Sequence, residues 1–437
     1  ATRLDRDAAE SRTFPAGTAV ITTRQPLGGL VQTLLEREAT LAKTFLDEQR
    51  MKAEADEPDD FYDLTTWSMP LAMNVETYVT AAAIPGQLAP FPAQAPAAFT
   101  PASYGYLVSG TDPNVYRFAG RLVKNSIRFS VAHGELPFGD LTHPRGSIVV
   151  LKGNNASDID RMVATIAGET NVTVFPLDSG WIGATTFGSE RLRFVRAPRI
   201  ALIGGPGTNA TSHGMLWHTL DADTPIPHTR ISLDAFSGAD LSKYNVIVLP
   251  NGSYLDRIGK RDVDRLKAWL SAGGTLVAVK GASSFLRAKD VEISKLKPWD
   301  APKDEEEDSE PEPQSDQRYN EFRVPGSAFR TTMNDRSYLT YGIPRSPAVL
   351  IEGSAAYLPV SHRVDNIVTI ARENPLMSGV AWPESIERVG GSAYLVSEPV
   401  GRGSVITFAD EPHYRLFWRG TLPLFLNAVL YSPSFPR

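Results

Sequence analysis

The residues best able to do chemistry gather where apolar runs end. Lys280 closes the run Thr275-Leu-Val-Ala-Val-Lys280 and is followed by Gly281-Ala-Ser-Ser-Phe-Leu286. A side chain at such a strand-to-helix turn stands up at the top of a sheet. There its ammonium could bind a carboxylate, or act as a base if its pKa were depressed. The plainer alternative is an elbow whose lysine reaches solvent or a neighbouring acid. Gly204-Gly205-Pro206-Gly207 could bring backbone amides to a phosphate, but Asn209 and Ala210 follow in place of a third glycine and Pro206 lacks an N–H, so a tight turn is the better reading. His213 and His218, with Trp217 and Asp221 nearby, lie about 140° apart on a helix and would not share a metal. Ser253 has no Gly-x-Ser-x-Gly around it and reads as a helix cap. Asp410-Glu-Pro-His-Tyr-Arg415 with Trp418-Arg419 could bind a polar ligand, dock a neighbouring domain, or close a salt-bridged corner.

The elements that must position these residues read as layers of strand and helix. Residues 199–205, 246–250 and 275–280 are short apolar runs, separated by a helical pattern over 261–272 that ends in Gly273-Gly274. That alternation predicts a parallel sheet covered on both faces, with ligands expected beyond the carboxyl ends of its strands. The runs at 392–397 and 403–409 and an apolar helix over 421–430 are expected to return to this sheet. Upstream, residues 14–37 and 143–167 share one grammar of Pro-x-Gly turn, β-branched run and helix, carried by Leu27, Leu30, Val31, Leu34 and Leu35 in one and Ile159, Met162, Val163 and Ile166 in the other. Further strands are expected at 104–109, 127–132 and 172–175, and a helix at 115–124. The fold class is therefore α/β, with two three-layer domains of mainly parallel sheets: residues 1–196, and residues 197–437 with a disordered acidic insert near 298–320.

Composition narrows the function classes. The 437 residues carry a formal charge of −6, but residues 300–316 hold nine acids against one lysine, and without them the rest stands near +2. No basic stripe with interleaved aromatics supports nucleic-acid binding. The chain has no cysteine, which excludes disulfides, thiolate zinc sites and thiol nucleophiles. Its longest uncharged run, residues 77–111, contains Pro85, Pro90, Pro92, Pro96 and Pro101 and could not form a spanning helix. The segment from 84 to 101 reads as an extended linker, and a start at Ala1 without initiator Met suits a processed or excised piece of something larger.

The order strand, helix, Gly-Gly, strand, sharp turn in residues 246–286 resembles the class I glutamine amidotransferase-like (flavodoxin-like) fold. That resemblance implies a cysteine nucleophile at the elbow, where this chain has Lys280, so the family's reaction is excluded here. Other segments resemble the region that follows the catalytic domain in large bacterial zinc carboxypeptidase-type metallopeptidases. They are Pro15-Ala-Gly17 with Gln25-Pro-Leu-Gly28, Phe61-Tyr-Asp-Leu-Thr-Thr-Trp-Ser-Met-Pro-Leu71, Val324-Pro-Gly-Ser-Ala-Phe-Arg330, Leu339-Thr-Tyr-Gly342, Gly401-Arg-Gly-Ser-Val-Ile-Thr-Phe408, Phe417-Trp-Arg-Gly-Thr421 and Leu424-Phe-Leu-Asn-Ala428. The family holds zinc through a His-x-x-Glu pair and a distant histidine. None of the seven histidines here has a glutamate three residues on; the nearest patterns are His218-Thr-Leu-Asp221 and His362-Arg-Val-Asp365, better read as chance.

The resemblance implies a non-catalytic accessory region of a secreted or periplasmic protein. Zinc is expected in a missing N-terminal peptidase domain, with no cofactor or metal in this chain. The partners implied are that peptidase domain and a peptide substrate. The alternative is a domain that binds or turns over a small ligand through the Lys280 elbow, with Gly204, Gly205, Ser253, His213 and His218 as the other ligand-binding candidates.

Overall fold

The computed structural model describes residues 2–3, 13–15, 17–38, 40–55, 57–81, 84, 88–90, 99–139, 141–182, 185–187, 190–299, 323–360 and 365–435. The acidic insert, most of the proline-rich linker and His362 lie outside them.

Two helices lead the first half, α1 (Gly28–Leu35) and α2 (Lys43–Glu54). The strand expected before α1 is not there: Val20 and Ile21 are 42% and 57% exposed in irregular chain. β-branched residues alone do not make a strand without a neighbouring edge to take up their hydrogen bonds. α1 forms at the expected place, but Leu27, Leu30 and Leu34 stay exposed.

A five-stranded sheet follows. It is built from β1 (Gly105–Val108), α3 (Val115–Lys124), β2 (Ser130–Ala132), β3 (Ile148–Leu151), α4 (Ile159–Thr170), β4 (Val174–Leu177) and β5 (Leu192–Phe194). The strand order is β5-β2-β3-β1-β4. Every neighbouring pair is antiparallel, which corrects the expectation of a mainly parallel sheet. The reason is topological: β1-α3-β2 and β3-α4-β4 are each strand-helix-strand crossovers, but each steps over one strand, so the parallel partners interleave. This is the split β-α-β arrangement of ferredoxin-like folds. Tyr106, Val108, Ile148 and Val150 face Val115, Phe118, Leu122, Val163 and Ile166 of the two helices, while Leu107, Val149 and Ala132 pack the opposite face with Leu136, Leu177 and Phe187. Among the described residues no helix covers that second face, so they do not form three layers in this half.

The second half opens with β6 (Ile200–Gly204), α5 (Ala210–His218), β7 (His228–Ser232), β8 (Val246–Leu249), α6 (Lys260–Ser271), β9 (Thr275–Val279) and α7 (Ala282–Arg287). It continues through β10 (Val324–Phe329), β11 (Thr331–Met333), β12 (Val349–Gly353), β13 (Asn366–Ile370), β14 (Leu376–Ser378), β15 (Ala393–Val400), β16 (Gly403–Phe408) and α8 (Leu422–Tyr431). Eight strands join in the order β7-β6-β8-β9-β16-β15-β13-β11. The first five run parallel and the last three alternate. The sheet is mixed rather than mainly parallel throughout.

Its central strands are buried on both faces, which is why they read as unbroken apolar runs. Ala201, Ile203, Ile247, Leu249 and Leu276 meet Val263, Leu266 and Leu270 of α6, and on the other face Leu202, Val248, Val277 and Ile406 meet Leu216 of α5 and Phe425 and Val429 of α8. A separate three-stranded sheet, β12-β10-β14, lies alongside.

One apolar cluster runs from Ala102 in the first half to Tyr431 in the second. At its centre Asn427 of α8 is fully buried. Its amide donates to the carbonyls of Leu339 and Tyr341 at 3.0 and 2.9 Å, and its Oδ1 accepts from the Tyr116 hydroxyl of α3 at 3.0 Å. Replacing Asn427 by Leu would leave these buried groups without that partner, and we expect a loss of about 2 kcal/mol in urea unfolding. An unchanged unfolding midpoint would show that this knot contributes nothing.

Candidate functional site

The site is built on the turn from β9 into α7. Lys280 has a φ of +49°, a left-handed conformation that a bulky residue adopts only when its surroundings impose it. Its N–H donates to the Phe408 carbonyl at the end of β16 at 2.9 Å, which fixes the turn against the neighbouring strand. The side chain then meets acids from two other elements. Nζ donates to the Glu352 carbonyl at 2.7 Å, and lies 3.0 Å from both Glu352 Oε2 and Asp410 Oδ1.

Asp410 directly follows β16 and is 4% exposed. Its Oδ2 accepts from the Glu352 N–H at 2.6 Å and its Oδ1 from the Glu411 N–H at 2.8 Å. Burial alone would lower the Lys280 pKa, but Asp410 and then Glu352 outweigh it and hold the ammonium well above its usual value. A lysine in that state is neither a nucleophile nor a general base near neutral pH, because both roles need the free amine.

The rest of the elbow is occupied too. In elbow enzymes the N–H of the residue after the nucleophile helps to stabilise the oxyanion. Here that N–H belongs to Gly281 and donates to Asn251 Oδ1 at 3.0 Å. The turns at the topological switch point, between β6 and β8, close on each other through main chain. Ser253 N–H donates to the Gly207 carbonyl at 2.8 Å and Asn209 N–H to the Asn251 carbonyl at 2.7 Å. A Cβ on Gly252 would come within 2.5 Å of that Gly207 carbonyl oxygen. The crevice where such sheets bind ligands is filled by backbone.

The other candidates do not converge on Lys280. His213 Nδ1 lies 3.0 Å from the Ile203 carbonyl, and its ring fills the space beside Gly204, where a Cβ would meet it at 2.4 Å. Gly205 takes a φ of +85° in the turn. His218 is exposed and its Nδ1 lies 3.9 Å from Asp223, which also accepts from Arg419 at 2.8 Å. Asp221 is exposed, and among the described residues no group of three or more histidines, aspartates or glutamates could hold a metal ion. Ser253 caps no helix: α6 starts after Gly259. The polar stretch after β16 is a bonded corner, with Asp410 on Lys280, Arg415 on Asp63 at 2.6 Å and Arg419 on Asp223.

Glu352 carried no signal in the sequence, and Glu411 entered only as part of the 410–415 cluster. Glu411, 5% exposed, has an Oε2 with no hydrogen-bond partner among the described residues. Burial pushes its carboxyl up to about 7 against a hydrogen bond from Ser212, and Asp410 adds to the rise. His413, fully buried against Phe425 at 5.7 Å, is pushed down to about 4 by burial and is neutral near pH 7.

No family model and no curated protein matches the chain. Solved structures do resemble it. A ThuA-like protein from Bacteroides uniformis is 14% identical with a TM-score of 0.36, over 54% of this chain and 91% of its own. A GMP synthase subunit from Thermoplasma acidophilum is 9% identical with a TM-score of 0.32, over 54% and 94%. The β-galactosidase from Bacillus circulans is 13% identical with a TM-score of 0.31, over 64% of this chain and 36% of that one. ThuA-like and amidotransferase-like proteins are thus among the chains this one resembles; likeness of this size says nothing about what it binds or does.

Two outcomes follow from the site. Lys280→Met leaves Asp410 buried beside Glu352 without its cation, and should cost about 3–5 kcal/mol in denaturant unfolding; adding Asp410→Asn should recover part of the loss. If the single variant unfolds like the parent, the ion pair is not what holds the elbow. For Glu411 the folded pKa is raised, so its protonated form favours the fold: its contribution is complete below the unfolded value of about 4.5 and is lost as pH rises through about 7. Glu411→Gln should remove a decline on the order of 3 kcal/mol across that window. Parallel stability–pH curves for variant and parent would refute this.

Proposed function

We propose that this chain is a non-catalytic accessory region of a zinc carboxypeptidase-type protein, secreted or periplasmic, in which an amidotransferase-like domain serves as a rigid support. Its partner is an N-terminal peptidase domain of the same protein, against which it packs or whose peptide-like substrate it helps to hold. The observation that carries the non-catalytic reading is the state of the elbow: Lys280 is an ammonium paired with Asp410 and Glu352, and the Gly281 N–H is already bonded to Asn251. Neither half of an acyl-transfer apparatus is free.

The reading is tested on the purified chain by metal analysis and by hydrolysis of peptide and glutamine substrates. No metal and no turnover are expected. Stoichiometric zinc with peptide hydrolysis would overturn it. Lys280→Cys should also stay inactive on glutamine, because the Gly281 N–H remains engaged; measurable glutaminase activity in that variant would show that only the nucleophile is missing.

A further inference from the structure

We propose that His133, Arg145 and Arg193, gathered round Tyr341 and Phe435 where the two halves meet, form a binding site for an oxyanion, a carboxylate or a phosphate. The site stands apart from the elbow and does not depend on its reading.

The cluster is assembled from both halves. His133 follows β2, Arg145 precedes β3, Arg193 is on β5, and Tyr341 and Phe435 belong to the second half. Arg145 is the hinge of the arrangement. Its Nε donates to the His133 carbonyl at 3.0 Å, its Nη2 to the Arg336 carbonyl at 2.5 Å and its Nη1 to the Asp335 carbonyl. All three acceptors are neutral. They satisfy the guanidinium's hydrogen bonds but leave its charge uncompensated.

The other cations are no better balanced. Arg193 lies over the Phe435 ring, 5.4 Å from its centroid, and Arg145 over Tyr341 at 5.2 Å. Among the described residues no ion pair links Arg145, Arg193 or Arg336 to a carboxylate, although the chain forms such pairs at many other arginines. The two nearby acids in sequence, Glu135 and Asp335, take part here through their backbone carbonyls, to Arg191 at 3.3 Å and to Arg145. His133 Nδ1 sits 2.5 Å from the Tyr341 hydroxyl. The ring feels the surplus: after burial, Arg145 and Arg193 are what lower its pKa.

Like charges held together at a surface without counter-charge are costly unless something anionic joins them. Arg193 and His133 are exposed and can reach a ligand, while buried Tyr341 and the Tyr338–Phe435 stack, with centroids 4.8 Å apart and planes 8° from parallel, give it a firm wall. The guanidinium fork fits a carboxylate or a phosphate in two-point contact.

The test is a titration of the full chain with inorganic phosphate, with succinate and with sodium chloride at matched ionic strength. Thermal unfolding and the His133 imidazole resonance are both followed. We expect phosphate or succinate, but not chloride, to raise the unfolding temperature and shift the resonance, with saturation. Arg193→Gln, first shown to melt like the parent in chloride, should weaken the apparent affinity at least about tenfold. Response to phosphate alone assigns a phosphate site; response to succinate as well assigns a general oxyanion site. Equal effects of chloride, no response to either anion, or an unaltered titration in the Arg193→Gln variant would overturn the proposal.

Discussion

A charge taken out of water must find an opposite charge, and the burial of Lys280 imposes that condition on three separate stretches of the chain. The lysine ends β9, Glu352 belongs to β12 of the small sheet, and Asp410 follows β16. Once the ammonium is inside, the small sheet cannot shift relative to the large one without exposing a half-paired ion. Such pairs add little net stability compared with well-packed apolar residues, but breaking one is expensive. Their effect is to select one arrangement among many that would bury similar apolar area. The left-handed backbone at Lys280 is the local strain that this arrangement holds in place.

The same economy of space closes the turns that follow β6 and β8 on each other. Gly252 lets two turns touch backbone to backbone, and Asn251 reaches across to the elbow. The Gly281 N–H and the main-chain groups of the 207–209 and 251–253 turns tie one turn to the next. At the seam, arginines lean on aromatic rings and main-chain oxygens, and among the described residues no carboxylate pairs with Arg145 or Arg193.

Much of the second half was legible in the sequence. The runs at 199–205, 246–250 and 275–280 became β6, β8 and β9, the helix at 261–272 became α6, and Lys280 did fall at an elbow. These features are local: strands buried on both faces leave unbroken apolar runs, and a helix carries its own period. What was not legible depends on partners distant in sequence. The strand-helix-strand grammar of the first half is real, but no local signal says whether the next parallel strand will be adjacent or one place removed, so the antiparallel sheet came as a correction. β7, His228-Thr-Arg-Ile-Ser232, is an edge strand with polar residues and gave no apolar run. Glu352 lies 72 residues from the lysine it pairs with, and nothing around it marks a partner. For Ser253 and the two histidines, residue type suggested chemistry that their surroundings do not provide.

Arg145 grips the second half by carbonyl oxygens of residues 335 and 336 rather than by their side chains. Every amino acid supplies that acceptor, so the side chains at 335 and 336 are free to vary among relatives without loosening the seam. Position 145 has no such freedom, because only a guanidinium presents a planar fork that reaches three carbonyls at once. The two sides of this joint would drift at different rates, and a sequence comparison that looked for paired changes across it would find one fixed arginine facing a variable loop.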